Sequence, residues 1–363
     1  MQYNISNKWK LAAAGLIALY GGMAMAAQVG TLNSFSAGSP AVAADVNANF
    51  TAVTNAVNDN DSRLAALEAK VNGTKTVTVD CANGDTIAGG LSLAPLSGGV
   101  TLNISGTCNE NVVIKRNKVK LQSTTGGSIV GATTAPTLKV NRGSSRISVI
   151  GLTIGGGSDA VLVAGNAELL IKNATIGDAS TVNSGLMAQK GAVVTAIGNY
   201  DGSGGSTFNA GSSGNGAAVV AYGATVHFKD GSNTINGGTG VAMAADLGAE
   251  IVSGDLTYSP TATINGPVMV NSNSVFSLDN GSIAGDINAF SNVTVDLEPD
   301  VDGTTTPVSV TGGINASYGS MVHVTGGATV SGAGTAASGS VISVDTASSI
   351  GGCTAADTIS ACQ

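Results

Sequence analysis

The sequence predicts an all-β protein, a parallel β-helix preceded by a signal peptide and one coiled-coil helix. Three observations predict it. Short apolar triplets are set apart by Gly, Asn, Ser and Asp in a chain with 52 glycines. One pattern of strand, corner and strand recurs four times in the middle of the chain. A heptad seam runs through residues 46–71 without a break.

Residues 1–26 carry a basic start (Lys8, Lys10), the apolar run LAAAGLIALY and the small-residue ending AMA, which together make a secretory signal peptide. The run is too short and Gly-interrupted to span a bilayer, and no later stretch approaches the roughly 18 apolar residues a membrane helix needs. The chain is therefore expected outside a bacterial cell, at its surface or in the periplasm. Losing Lys8 and Lys10 lowers the 15 basic residues to 13 against 23 acidic, a net charge of −10. That balance argues against nucleic acid and anionic membrane as partners.

A polar leader (27–44) precedes the helical segment (45–72). Val46, Phe50, Val53, Val57, Asn60, Leu64, Leu67 and Val71 alternate at spacings of four and three, the a/d pattern of a coiled coil. With Phe50, Val57, Leu64 and Val71 at a, Val46, Val53, Asn60 and Leu67 fall at d, and Arg63 and Glu68 take flanking g and e positions. Asn60 in a symmetric bundle faces its own copies and sets register at some cost in stability. The expectation is self-association through 46–71, as a trimer, with a dimer also open. The competing reading is an amphipathic helix lying on its own solenoid.

From residue 75 helix periodicity disappears. Segments starting at Asp159, Ser184, Gly216 and Thr239 align with one another at offsets of 25, 32 and 23 residues. The long offset is assigned to an insert at Tyr200–Ser206. Leucine-rich repeats share this period, but their Leu-x-x-Leu-x-Leu pattern is missing and the triplets favour Val, Ile and Thr. A β-helix over 75–350 therefore fits better, with Gly and Asn taking positive φ at the corners. About 270 residues at about 25 per turn make about 11 turns, a rod near 50 Å long.

Cys81 and Cys108 lie at the start of this body, and Cys353 and Cys362 at its end. Two disulfides are expected in an exported chain, the second closing a C-terminal cap over 351–363. Metal ligation is the alternative, but His227 and His323 are far from both pairs in sequence.

The segment TVDCANGDTIAGGLSLAP, followed by GVTLNISGTCNENVVIKRNKVKLQS, resembles the opening of secreted right-handed parallel β-helix repeat proteins of the pectate-lyase-like superfamily. The motif rests on Gly106, Cys108, Glu110, Asn111, Val112 and Ile114. The resemblance covers residues 77 to about 300 and implies the right-handed fold. The superfamily includes lyases, hydrolases, esterases, adhesins and phage spikes, so it implies no single activity.

Chemistry is sparse. A lyase needs clustered Asp for calcium and an Arg base, yet the body has only Arg116, Arg142 and Arg146, none with a matching acidic cluster. The superfamily's hydrolase patterns are missing, and the only Trp, Trp9, lies in the signal peptide. Tyr200 and Asp201 in the insert, with Tyr222 at a corner, form the weak ligand-binding candidate, against a reading as ordinary corner residues. Glu298, Asp300 and Asp302 before Gly303 resemble half a calcium loop without its closing acid, against a reading as a solvated turn. No other cofactor is expected. His227 and His323 sit in apolar triplets with no nucleophile at a recognisable spacing.

The expected role is a non-catalytic structural or adhesive component of a surface or matrix that binds glycans or a cell surface. The alternative is a polysaccharide lyase or glycoside hydrolase with its site on the β-helix face or between protomers.

Overall fold

The computed structural model describes residues 29–95, 97–199, 203–213, 216–254, 261–299, 307–357 and 361–362. The signal peptide assignment and the candidates Tyr200, Asp201, Asp300 and Asp302 lie outside these residues. The chain divides into two compact units, residues 1–73 and 74–363.

Among the described residues, the first unit holds one long helix, α1 (Ala43–Asn72, 30 residues). Asp45 stands in its first turn, where the helix dipole favours negative charge. Asn49 pins the leader to the helix: its Oδ1 accepts from the Asn33 N–H at 2.7 Å, and its Nδ2 donates to the Asn33 carbonyl at 2.9 Å.

The second unit is a solenoid of three parallel sheets. Sheet 1 has 13 strands beginning at Lys75–Asp80. Sheet 2 has 11 beginning at Thr107–Asn109, and sheet 3 has 11 beginning at Val112–Ile114. Each turn of chain gives one strand to each sheet, and every strand pairs with its equivalents one turn before and one turn after. Eleven complete turns at about 4.8 Å per rung extend about 50 Å.

The period of two along each strand sends alternate side chains inward, where equivalent residues stack. Sheet 2 stacks Cys108, Ile129, Ile154, Ile176, Phe208, Ile235, Ile264 and Ile283 in one buried column. β-Branched residues suit this position because their stiff χ1 loses little freedom on packing. Phe208 and Phe228 meet edge to face with centroids 5.6 Å apart. Ala196 in sheet 1 and Ala188, Ala221 and Ala245 in sheet 3 are buried in the same stretch, so small residues offset the volume of the rings.

Corners between sheets 3 and 1 use left-handed backbone. Lys190 (φ 58) and Gly191 (φ 77) form one, and Tyr318 (φ 58) and Gly319 (φ 74) form another. Several of these corners are followed by a small buried residue, as at Ala167, Ala192, Ala224 and Ala249, whereas Val293 fills the equivalent place after Asn292. Corner amides bond up the stack, for example the Gly191 N–H to the Gly223 carbonyl at 2.6 Å.

In sheet 1, turn length varies from 19 residues (Val100 to Val119) to 32 (Val193 to Thr225). Ten positions separate Ile197 from Thr207 where three separate their partners Lys172 and Thr175, which places the extra chain of the long turn in that corner. The observed register adjusts the sequence alignment. The offset of 25 stands in sheets 1 and 3. The second offset is 32 in sheet 1 but 33 in sheet 3, and the third is 25 in sheet 1 and 24 in sheet 3 rather than 23. Corners make no strand pairs, so they absorb single residues without breaking the stack.

Both ends are tied. Cys81 is bonded to Cys108, and Cys353 to Cys362, with Cα separations of 5.1 and 5.9 Å. The last turn continues past residue 350: Cys353–Ala355 joins sheet 3, and Ala361–Cys362 pairs with Val341–Ile342 in sheet 1.

Candidate functional site

The motif that carries the superfamily resemblance does structural work. The short helix α2 (Ile87–Ser92) takes its N-cap from Thr86, whose Oγ1 accepts from the Gly89 N–H at 3.0 Å. Glu110 completes the cap, accepting from the Ile87 N–H at 2.6 Å and the Ala88 N–H at 3.2 Å. Asn111 fastens the next loop, donating to the carbonyls of Ala132, Ala135 and Pro136 and accepting from the Ala132 N–H. Arg116 donates to the carbonyls of Pro95 and Gly98, both at 2.6 Å, so its fork holds backbone in place.

On α1, the seam residues Phe50, Val53, Val57, Leu64 and Leu67 are exposed, Phe50 by 69% and Leu67 by 57%. Asn60 is exposed in the same row, and Val71 is half-buried.

Tyr222 lies at the end of its sheet 3 strand, 37% exposed, with Gln189 and Asp246 as its rung neighbours. Glu298 is exposed. Among the described residues, no group of three or more His, Cys, Asp or Glu is placed to hold a metal ion.

Two aspartates at the corner between sheets 2 and 3 titrate in opposite directions. Burial pushes the Asp159 carboxyl above its ordinary value, and hydrogen bonds from the Ser184 N–H and the Ser158 hydroxyl only partly offset it. Burial also raises Asp178, but its Oδ1 accepts from the Ser180 hydroxyl and from the N–H groups of Gly156, Ser180 and Thr181, and the net effect is a lowered pKa.

The outward faces differ sharply. Sheet 1 is mixed: Leu170, Thr195, His227, Val252, Ser277, Asp296, His323 and Ser343 follow one another up one column. Asp296, His323 and Ser343 thus occupy three successive rungs, which sequence spacing does not reveal. No hydrogen bond joins their side chains, so the contacts of a Ser-His-Asp triad are not formed. Sheet 3 turns Leu162, Met187, Val220, Ala244 and Met269 outward on five consecutive rungs, of which Leu162 and Val220 are buried.

Sheet 2 presents one functional group throughout. Thr107, Ser128, Thr153, Thr175, Thr207 and Thr234 stack in register, followed by Thr263, Ser282, Ser309, Thr329 and Ser349. All eleven rungs carry a hydroxyl, against five of eleven in the sheet 1 column from Thr101 to Ser343 and two of eleven in the sheet 3 column from Val113 to Thr354. None of the eleven sheet 2 strands contains a charged residue. Sequence reading missed this column because turn lengths vary. The recurrent Thr/Ser followed by a buried aliphatic, as in TI at 153, 175, 234-235 and 263-264, is the signal that could have found it.

Comparison with known proteins finds no matching family model, no matching curated protein and no matching solved structure.

Proposed function

We propose that the chain is an exported, non-catalytic β-helix that serves as a structural or adhesive component of a surface or matrix, self-associating as a trimer through residues 46–71. The winding is right-handed on this reading, as parallel crossovers almost always are, and the chain belongs with the pectate-lyase-like β-helices it resembles. The observation that carries the proposal is the apolar row of α1, with Phe50, Val57, Leu64 and Leu67 each more than half exposed in the single chain. An apolar seam of heptad spacing in water is relieved by pairing with copies of itself. Two disulfides suit an oxidising location.

Sedimentation of the full chain and of a Val53→Asp variant tests the assembly. A trimer that the variant dissociates supports it, and a monomer in both ends it.

The catalytic alternative, a polysaccharide lyase or glycoside hydrolase, draws support only from the stack of Asp296, His323 and Ser343 on sheet 1. A glycan array read for both retention and products separates the two. Retention without products supports the adhesive role, and release of shortened or unsaturated oligosaccharide overturns it. Calcium enters neither reading as a requirement.

A further inference from the structure

We propose that the outward hydroxyl column of sheet 2 is an ice-binding face. This specifies one surface for the adhesive reading and rests on it. A face that repeats one group on eleven rungs matches a ligand that is itself periodic. Polyanions and polycations are disfavoured because no sheet 2 strand carries charge, and sugar rings because the only aromatic residue in those strands, Phe208, is buried.

The centre of the column is a run of five threonines, Thr153, Thr175, Thr207, Thr234 and Thr263. Their hydroxyls make no hydrogen bond to another described part of the chain, whereas Ser128 donates to Thr107 at 2.9 Å at the column's edge. Five aligned hydroxyls are therefore left to bond water. Each is held by a β-branched side chain with a stiff χ1, so ordering it against a lattice costs little entropy. Each also carries a methyl that water must enclose, and ordered water can serve as the adhesive layer between protein and crystal. The rung repeat of about 4.8 Å is a few per cent longer than the oxygen repeat along the a axis of hexagonal ice, so the mismatch across five rungs is only about 1 Å.

The test is partition of the purified full chain into a slowly growing ice front, together with thermal hysteresis, for the wild type, Thr207→Lys, Thr175→Val and the sheet 1 control Thr195→Lys. Circular dichroism confirms that each variant is folded. Expected are ice incorporation and hysteresis in the wild type and Thr195→Lys, their loss in Thr207→Lys, and a partial loss in Thr175→Val, which keeps the methyl and shape but not the hydroxyl. Exclusion of the wild type from ice overturns the proposal, as does equal loss in Thr195→Lys or retention of full activity in Thr207→Lys. Binding to crystalline cellulose or chitin through sheet 2, without ice binding, also overturns it while leaving the adhesive reading intact. A monomer in sedimentation that still binds ice strikes at the assembly alone.

Discussion

Glu110 accepts the backbone N–H of Ile87 at 2.6 Å, reaching back 23 positions from the first turn of the solenoid to the helix that closes it. One carboxylate thereby satisfies two N–H groups that α2 cannot use internally. Glu110→Ala is expected to lower stability by about 1–2 kcal/mol. Hydrogen exchange should show faster exchange at Ile87 and Ala88, with little change beyond the first turns because solenoid contacts are nearest-neighbour. Unchanged exchange at both amides would remove the capping role.

The two disulfides should differ in weight. Cys81 and Cys108 enclose a separation of 27 residues, and Cys353 and Cys362 one of only 9. Loop-closure entropy assigns about 3.5 kcal/mol to the first and about 2.5 to the second. Thermal melting of a Cys81→Ser/Cys108→Ser double variant should therefore fall further than that of the Cys353→Ser/Cys362→Ser pair.

Phe228 shares an edge-to-face contact with Phe208 and is fully buried. Phe228→Ala should cost about 3–5 kcal/mol, because the surrounding alanines are too small to fill the gap. Denaturant titration measures it. A cost below about 1 kcal/mol would mean that the turns close around the missing ring.

Asp159 and Asp178 make opposite contributions with pH. The raised pKa of Asp159 gives stability that is full below the unfolded value of 3.8 and is lost as pH rises through the folded value. The lowered pKa of Asp178 gives stability that is present above 3.8 and is lost as pH falls through its folded value. Asp159→Asn keeps an oxygen for the Ser184 N–H, so its stability relative to wild type should improve as pH rises from 3 to 7. Asp178→Asn should be less stable than wild type at pH 7, with the difference shrinking toward pH 3. Urea midpoints across that range check both slopes.

On the trimer proposal, Asn60 sits among apolar seam neighbours, so Asn60→Leu should tighten association while loosening its register. Sedimentation should show heavier or mixed species. A variant whose association is unchanged would place Asn60 outside a buried seam.

Much of the fold was legible because its rules are local. Each corner needs residues that tolerate positive φ, such as Asn166 (φ 53) and Gly191 (φ 77), and each strand needs alternate aliphatics, so the composition of a single turn announces both. The turn count of eleven followed from that. The disulfide pairs were legible because each lies within or beside one turn. Less legible were positions separated by corners of unequal length, as the one-residue differences between sheets 1 and 3 show.

The sequence by itself determined the parallel solenoid, its tied ends and the helix before it, since these arise from short-range propensity and from burial repeated turn after turn. Only the tertiary structure decided which side chains share a face: Thr175 and Thr207 are 32 residues apart, yet stand on adjacent rungs. Hydrogen bonding between turns sets that register, and it disregards how much chain is looped out at the corners.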